Sequence, residues 1–312
     1  MGGCRRMMGK WRLLVGLALA LAWHVGMSGQ SAVSRAVYQW DAGMTARAHD
    51  IISAAVAGEE ALNPEAWYVL GYFEKEFYKA EEGVNPESGR RDAAWRAFRK
   101  AWGLGPDDDT RQELEAALGY IGGTYFQDAL NGLRGFTPAG FGGISEQFEA
   151  YMAIEELLGK SAGEQKAQRA EWERQLGLAF GNYLANERAA DEGEEQEVLA
   201  AAVGHYEASL ALQPGHYSTL YNLAITLYNH GVRQLKRIGP ETSMFELMEI
   251  QDVCIALFEE ALPVMQTAHE AQPERLETLK GLMTIHYALS QPEESERYKR
   301  KLEEVIRKGG GK

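Results

Sequence analysis

From Ala32 to the last charged residues, apolar side chains recur three and four positions apart, and runs of valine, isoleucine or threonine alternating with polar residues are lacking. That period lines one face of a helix, so the pattern predicts an all-α chain with almost no strand. Asn63-Pro64 reads as an N-cap followed by proline at the first helical position. Ser243 followed by Glu246 has capping-box spacing and opens a helix near Met244 that presents Phe245, Met248 and Val253 in series. That face is expected to pack on the preceding helix, its alternative being a methionine-rich surface for a partner. Pro263 is expected to kink this helix. Near the C-terminus, Tyr298, Leu302 and Val305 share one face amid abundant charge, the layout of a capping helix.

One spacing repeats along the chain. Ala94-Phe98-Ala101-Pro106, Ala202-Tyr206-Ser209-Pro214 and Ala261-Met265-Ala268-Pro273 each run small, large, small, proline. Ala150-Ile154-Leu157 is a weaker copy with Ala162 in the proline's place. A small residue lets a neighbouring helix approach, a large one a turn later fills the gap, and proline ends the helix. A complementary half appears in Trp67-Tyr68-Val69-Leu70-Gly71 and Leu220-Tyr221-Asn222-Leu223-Ala224. Together the two halves resemble the tetratricopeptide repeat (TPR), a helix-turn-helix unit whose signature is W-x2-L-G-x2-Y, then A-x3-F-x2-A and a closing proline. The resemblance implies an all-α helical-repeat solenoid over residues 63–308, preceded by an N-terminal helical cap at 31–62. The stretch 109–162 matches only in its second helix, and Glu74 stands where the family has tyrosine.

Three insertions separate the paired halves, near residues 80–92, 186–197 and 233–253, and are expected to lengthen the helices or to project as loops. The second is rich in glutamate but lacks the D-x-D-x-D-G spacing of a calcium loop, so it reads as a solvated helix end and no metal is expected. Gly135–Gly143 reads as a long turn with two exposed phenylalanines, Phe136 and Phe141.

Charge and composition narrow the setting. Residues 1–12 carry Arg5, Arg6, Lys10 and Arg12, and an apolar run from Leu13 to Val25 follows, then small residues. This is the layout of a signal peptide over 1–28, placing the chain in the periplasm or outside the cell; an uncleaved membrane anchor is the alternative. The formal net charge is −13, and removing the four basic residues makes it −17, with Cys254 the one remaining thiol. No internal disulfide is then available, and the acid excess argues against nucleic acid as partner. No H-E-x-x-H, G-x-S-x-G or nucleotide-binding glycine motif occurs, so neither catalysis nor a cofactor is expected.

In TPR proteins the concave face is lined by the first helix of each pair. Carried position by position, the resemblance implies partner-binding roles for Tyr68, Tyr72 and Lys75, for Tyr221, Ile225 and Tyr228, and for Lys280 and Tyr287. Asn222 joins them because, with Lys75 and Lys280, it could meet a C-terminal carboxylate as in some TPR proteins, although the full clamp set is lacking. Five tyrosines on an acidic groove suit a protein or peptide with a neutral-to-basic segment. The expected function is an exported, non-enzymatic interaction scaffold. The alternatives are an envelope carbohydrate-handling or hydrolase-associated protein, and a self-assembling protein that dimerises through the 244–253 helix.

Overall fold

The computed structural model describes residues 31–81, 89–186, 188–189 and 191–309. Segment 1–28, expected from its sequence to be a signal peptide, and most of the first insertion lie outside the described residues. Among the described residues there are twelve α-helices, a single 3-10 turn and no strand. They are α1 (Ala32–Asp41), α2 (Thr45–Ala57), α3 (Pro64–Glu81), α4 (Arg90–Gly103), α5 (Asp108–Arg134) and α6 (Phe141–Leu157). The second half holds α7 (Ala162–Ala185), α8 (Glu192–Leu212), α9 (Tyr217–Leu235), α10 (Met244–Ala271), α11 (Leu276–Ala288) and α12 (Pro292–Gly309).

Local chemistry sets the ends. Asn63 Oδ1 accepts from the Glu65 amide at 3.0 Å, with Pro64 leading α3. Ser161 and Glu164 form a capping box on α7, as Ser243 and Glu246 do on α10, each satisfying amides that the first helical turn leaves orphaned. Pro106, Pro214 and Pro273 fall just past the ends of α4, α8 and α10. α10 continues as one helix through Pro263.

Neighbouring helices pack in pairs, α1 with α2, α3 with α4, α7 with α8, α9 with α10 and α11 with α12. Three of these packings, α3 with α4, α7 with α8 and α9 with α10, are keyed by a glycine in one helix under a large side chain of the other. A Cβ added at Gly71 would lie 2.5 Å from the Phe98 ring, one at Gly177 2.7 Å from Tyr206, and one at Gly231 2.6 Å from Phe258. Phe98, Ile154, Tyr206 and Met265, the large members of the repeated spacing, are all fully buried. The fold is therefore an all-α helical repeat of TPR-like pairs.

The middle pair is more regular than its sequence reading. Leu118, Ile121 and Tyr125 are buried on α5, and a Cβ at Gly122 would meet Ile154 of α6 at 3.2 Å. Leu118-x2-Ile121-Gly122-x2-Tyr125 is thus a first-helix match of the same form as that at residues 67–71. Glu74, at the departing position of α3, is also explained. It is buried and bonds His49 Nε2 of α2 at 2.7 Å and Arg90 Nη1 of α4 at 2.9 Å, an ionic tie where the family has an aromatic ring.

The chain divides into two compact units, one running to Gln127 and taking in Glu149–Gly159, the other holding Asp128–Phe148 and everything from Lys160 onward. In the second unit the third insertion extends both helices of its pair, and Gly231 under Phe258 repeats a helix contact seven residues beyond Ala224 and seven before Met265.

Two expectations are corrected. The Met244–Val253 face does not pack on α9: Met244, Phe245, Met248 and Val253 are 73%, 71%, 57% and 50% exposed. The helices are antiparallel with Phe258 at Gly231 and the Cys254 thiol on the Gly231 carbonyl, so α9, ending at Leu235, stops short of the start of α10. The phenylalanines of the glycine-rich turn are not both exposed. Phe136 is 4% exposed, and the rings of Phe136 and Phe141 lie 4.6 and 5.5 Å from that of Phe180 on α7.

Candidate functional site

In the first unit, Tyr68, Tyr72 and Lys75 lie at steps of four and three on α3 and share one side of it. Tyr68 is buried between Tyr72 and Phe98, with ring centroids 6.3 and 6.1 Å away. Tyr72 sets its ring edge 6.3 Å from Trp40 of α1, which stacks on Phe73 at 4.1 Å. The Lys75 ammonium lies 4.4 Å over the Tyr72 ring and 5.9 Å from that of Tyr120, and pairs with Glu76. Burial pushes the Glu76 carboxyl up, but the hydrogen bonds and charges of Lys75 and Lys79 outweigh it and hold the group below its ordinary value. At 7% exposure each, Tyr68 and Lys75 leave a partner little to touch, against the expectation that they line an open groove.

In the second unit, α9 lies between α7 and α11 as well as against its own partner α10. A Cβ at Gly181 would stand 3.1 Å from Thr226 Oγ1, so glycine lets α7 and α9 approach closely. Between them is a cleft of about 80 Å³ whose walls include Leu178 and Asn182 of α7 and Asn222, Ile225, Thr226 and Asn229 of α9. Three amides converge there, able to donate and accept at once, as a polypeptide backbone requires. On the other flank, Tyr217 Oη hydrogen-bonds Thr278 Oγ1 of α11 at 2.7 Å, and the Tyr217 and Tyr221 rings stack at 6.1 Å. Burial, first of all, raises the Tyr221 hydroxyl above its ordinary value.

The structure thus brings Asn222 and Ile225 into one cleft and keeps Tyr221 beside it on α9. Tyr228 turns toward α10, its ring 5.3 Å from Phe258. Lys280 is exposed on α11, and Tyr287 is 77% exposed, both outside the cleft. Asn182, Asn229 and Leu178 were not foreseen. A signal existed, because Gly177 occupies the same frame as Gly71, and counting from it sets Leu178 and Gly181 on the first-helix face.

Toward the C-terminal end of α9 a buried polar cluster closes the pair. Glu195 of α8, 6% exposed, accepts from Arg233 Nη1 at 3.3 Å and from Arg237, and Arg233 also donates to the Leu184 carbonyl. His230, 3% exposed, contacts Gln234 Nε2 through its own Nε2 at 3.0 Å. Burial holds the His230 imidazole below the ordinary histidine value; Glu195 opposes this and Arg233 and Arg237 add to it. His269 is lowered as well, again chiefly by burial.

With folded values below the unfolded one, the unfolded chain binds more protons as acid is added. The stability these neutral rings carry is present above about pH 6.5 and is lost as pH falls below it. Urea unfolding between about pH 7.5 and 5.5 is expected to show a decline in unfolding free energy, flattened in His230→Gln. An equal slope in the variant would place the proton uptake elsewhere.

No protein-family model and no curated protein sequence matches this chain. Among solved structures, it is similar to the MamA protein at 16% identity and TM-score 0.32, with 76% of this chain and 94% of that one covered. It is also similar to PilW, a widely conserved type IV pilus biogenesis factor, at 15% identity and TM-score 0.31, covering 90% of this chain and all of that one. A third is YrrB, a TPR protein with an unusual peptide-binding site, at 17% identity and TM-score 0.25, covering 80% and 89%. Among the described residues no helix is long and apolar enough to cross a membrane.

Proposed function

We propose that the chain is a non-enzymatic interaction scaffold that binds an extended peptide or protein segment along the first helices of its pairs. The observation that carries this reading is the cleft between α7 and α9, where Asn182, Asn222 and Asn229 stand over Ile225. Amides there would hold the bound backbone while Ile225 and Tyr221 offer apolar contact. Lys280 and Tyr287 extend this surface on α11, and half-buried Tyr72 offers the corresponding surface in the first unit, whereas buried Tyr68 and Lys75 and the inward-packed Tyr228 back these faces from below. The net charge favours a neutral-to-basic segment. The basic-then-apolar start of the chain supports export, which the intact mass of protein recovered from an envelope fraction checks.

The test is a peptide selected from a random library on the purified protein, with its affinity then measured by fluorescence anisotropy. Asn222→Ala with Asn229→Ala is expected to weaken binding about tenfold, since each removes a bond worth about 0.5–1.5 kcal/mol. Undiminished binding by the double variant, or a library that yields no binder, defeats the reading.

A further inference from the structure

A second recess, larger than the cleft and away from it, opens where the third insertion makes α9 and α10 unequal. α9 ends at Leu235 and α10 begins at Met244, so the first turns of α10, the connecting turn and α8 enclose a cavity of about 720 Å³. This is within the range of about 300–1,000 Å³ typical of ligand pockets. Its apolar wall is Leu199 of α8 with Ile250, Val253 and Leu257 of α10.

Two buried polar side chains of α9, His230 and Gln234, also line it. His230 Nε2 meets the Gln234 side-chain amide at 3.0 Å, which leaves Nδ1 as the ring's other hydrogen-bonding atom. That Nδ1 has no hydrogen-bond partner among the described residues. A buried polar atom left unsatisfied is costly, and a backbone group arriving in the cavity, directly or through a water, would relieve it.

The rim is acidic. Glu192, Glu241, Glu246 and Glu249 line it against Arg237 alone. Arg237 already pairs with Glu192 and Glu195, and Glu246 is tied to the Ser243 cap. Glu241 and Glu249 are exposed and make no ion pair among the described residues. Met244, Phe245 and Met248, exposed on the same first turns of α10, are not part of the cavity's lining.

We propose that this cavity is a second docking site, separate from the first-helix cleft, for a basic amphipathic segment of a partner polypeptide. Its apolar side chains would lie against Leu199, Ile250 and Val253, and its lysines or arginines would face Glu241 and Glu249. Neither feature alone selects that partner. An apolar wall accepts any apolar group, and exposed carboxylates attract any cation, whereas the two at one mouth select the chain that carries both.

The probe is a fluorescein-labelled peptide, KLLKKLLKKLLK, with a counterpart carrying glutamate for each lysine, titrated into the full chain with anisotropy as readout. The lysine peptide is expected to bind and the glutamate peptide to bind at least tenfold more weakly. Glu241→Gln with Glu249→Gln should weaken the lysine peptide about tenfold, and Val253→Asp, at a half-exposed position that tolerates it, by at least as much. Glu259→Gln with Glu260→Gln removes the same charge from exposed positions of α10 outside the cavity and should change affinity less than about twofold. Asn222→Ala should leave it unchanged. Equal losses in the two glutamate pairs, or no loss in Val253→Asp, overturns the proposal. So does a chain that sediments as a dimer through Met244 and Phe245 that the peptide does not displace, since a second copy would then be the occupant.

Discussion

Replacing Tyr206 with alanine is expected to cost about 3–5 kcal/mol of unfolding free energy, the range for deleting a fully buried aromatic ring. The ring is wholly buried, and burial raises its hydroxyl to about 12. Its face covers Gly177, so the same contact makes a second and sharper expectation. In the native background, Gly177→Ala sets a Cβ 2.7 Å from Tyr206 Cδ1, and a ring held on all sides cannot yield. The overlap costs about 1–3 kcal/mol, against about 1 kcal/mol gained in helix propensity, for a net loss of about 1–2 kcal/mol. In the Tyr206→Ala background the obstacle is gone, and Gly177→Ala should become neutral or stabilising by up to about 1 kcal/mol. Gly281→Ala is the contrasting case. Its Cβ meets the terminal methyl of Met265 at 2.6 Å, and a thioether chain can swing aside, so the change should lie within about 1 kcal/mol. Urea unfolding followed by circular dichroism measures all four proteins. If Gly177→Ala costs the same in both backgrounds, the glycine-ring contact does not set the spacing of α7 and α8.

Glu195→Ala is the second large expectation, at about 3 kcal/mol. The Glu195 side chain is 7% exposed and that of Arg233 15%, so deleting the carboxylate strands a buried guanidinium with only the Leu184 carbonyl to receive it. Arg237, 38% exposed, can turn to water and contributes less. Glu195→Gln keeps an acceptor in place and should cost about 1–2 kcal/mol. Because the pair is buried, raising the salt should leave most of the difference intact. A loss below about 0.5 kcal/mol for Glu195→Ala would put this cluster with ordinary surface pairs.

Helix class, helix ends and repeat spacing were legible because short-range chemistry decides them. Pro106, Pro214 and Pro273 each stand just past a helix end, and Ser243 with Glu246 caps α10 from four residues of sequence. The glycine and its large cover also lie at readable intervals, as at Gly71 and Phe98. Even the middle pair carried its signal in Leu118, Ile121, Gly122 and Tyr125, with leucine and isoleucine in the two large positions and glycine beneath Ile154.

The candidate sites were legible only in part. Position on the first helix picks out Ile225, and amide chemistry picks out Asn222, but the partners that make a cleft of them, Asn182 and Leu178, come from another pair. Periodicity gave Tyr228 and Tyr221 similar standing; packing sends Tyr228 to Phe258 and leaves Tyr221 stacked on Tyr217.

By itself, then, the sequence determined that this chain is a series of paired helices, where most of them end, and which small residues let them touch. Those outcomes follow from one helix or one adjacent pair. Only the tertiary structure decided that Glu74 bonds across to His49 and Arg90, that Phe136 turns inward, and that Met244, Phe245 and Met248 remain exposed. The reason is geometric: an apolar face is recorded in the residues of its own helix, but whether anything covers it depends on where the neighbouring helix stops. Here α9 stops at Leu235, short of the start of α10.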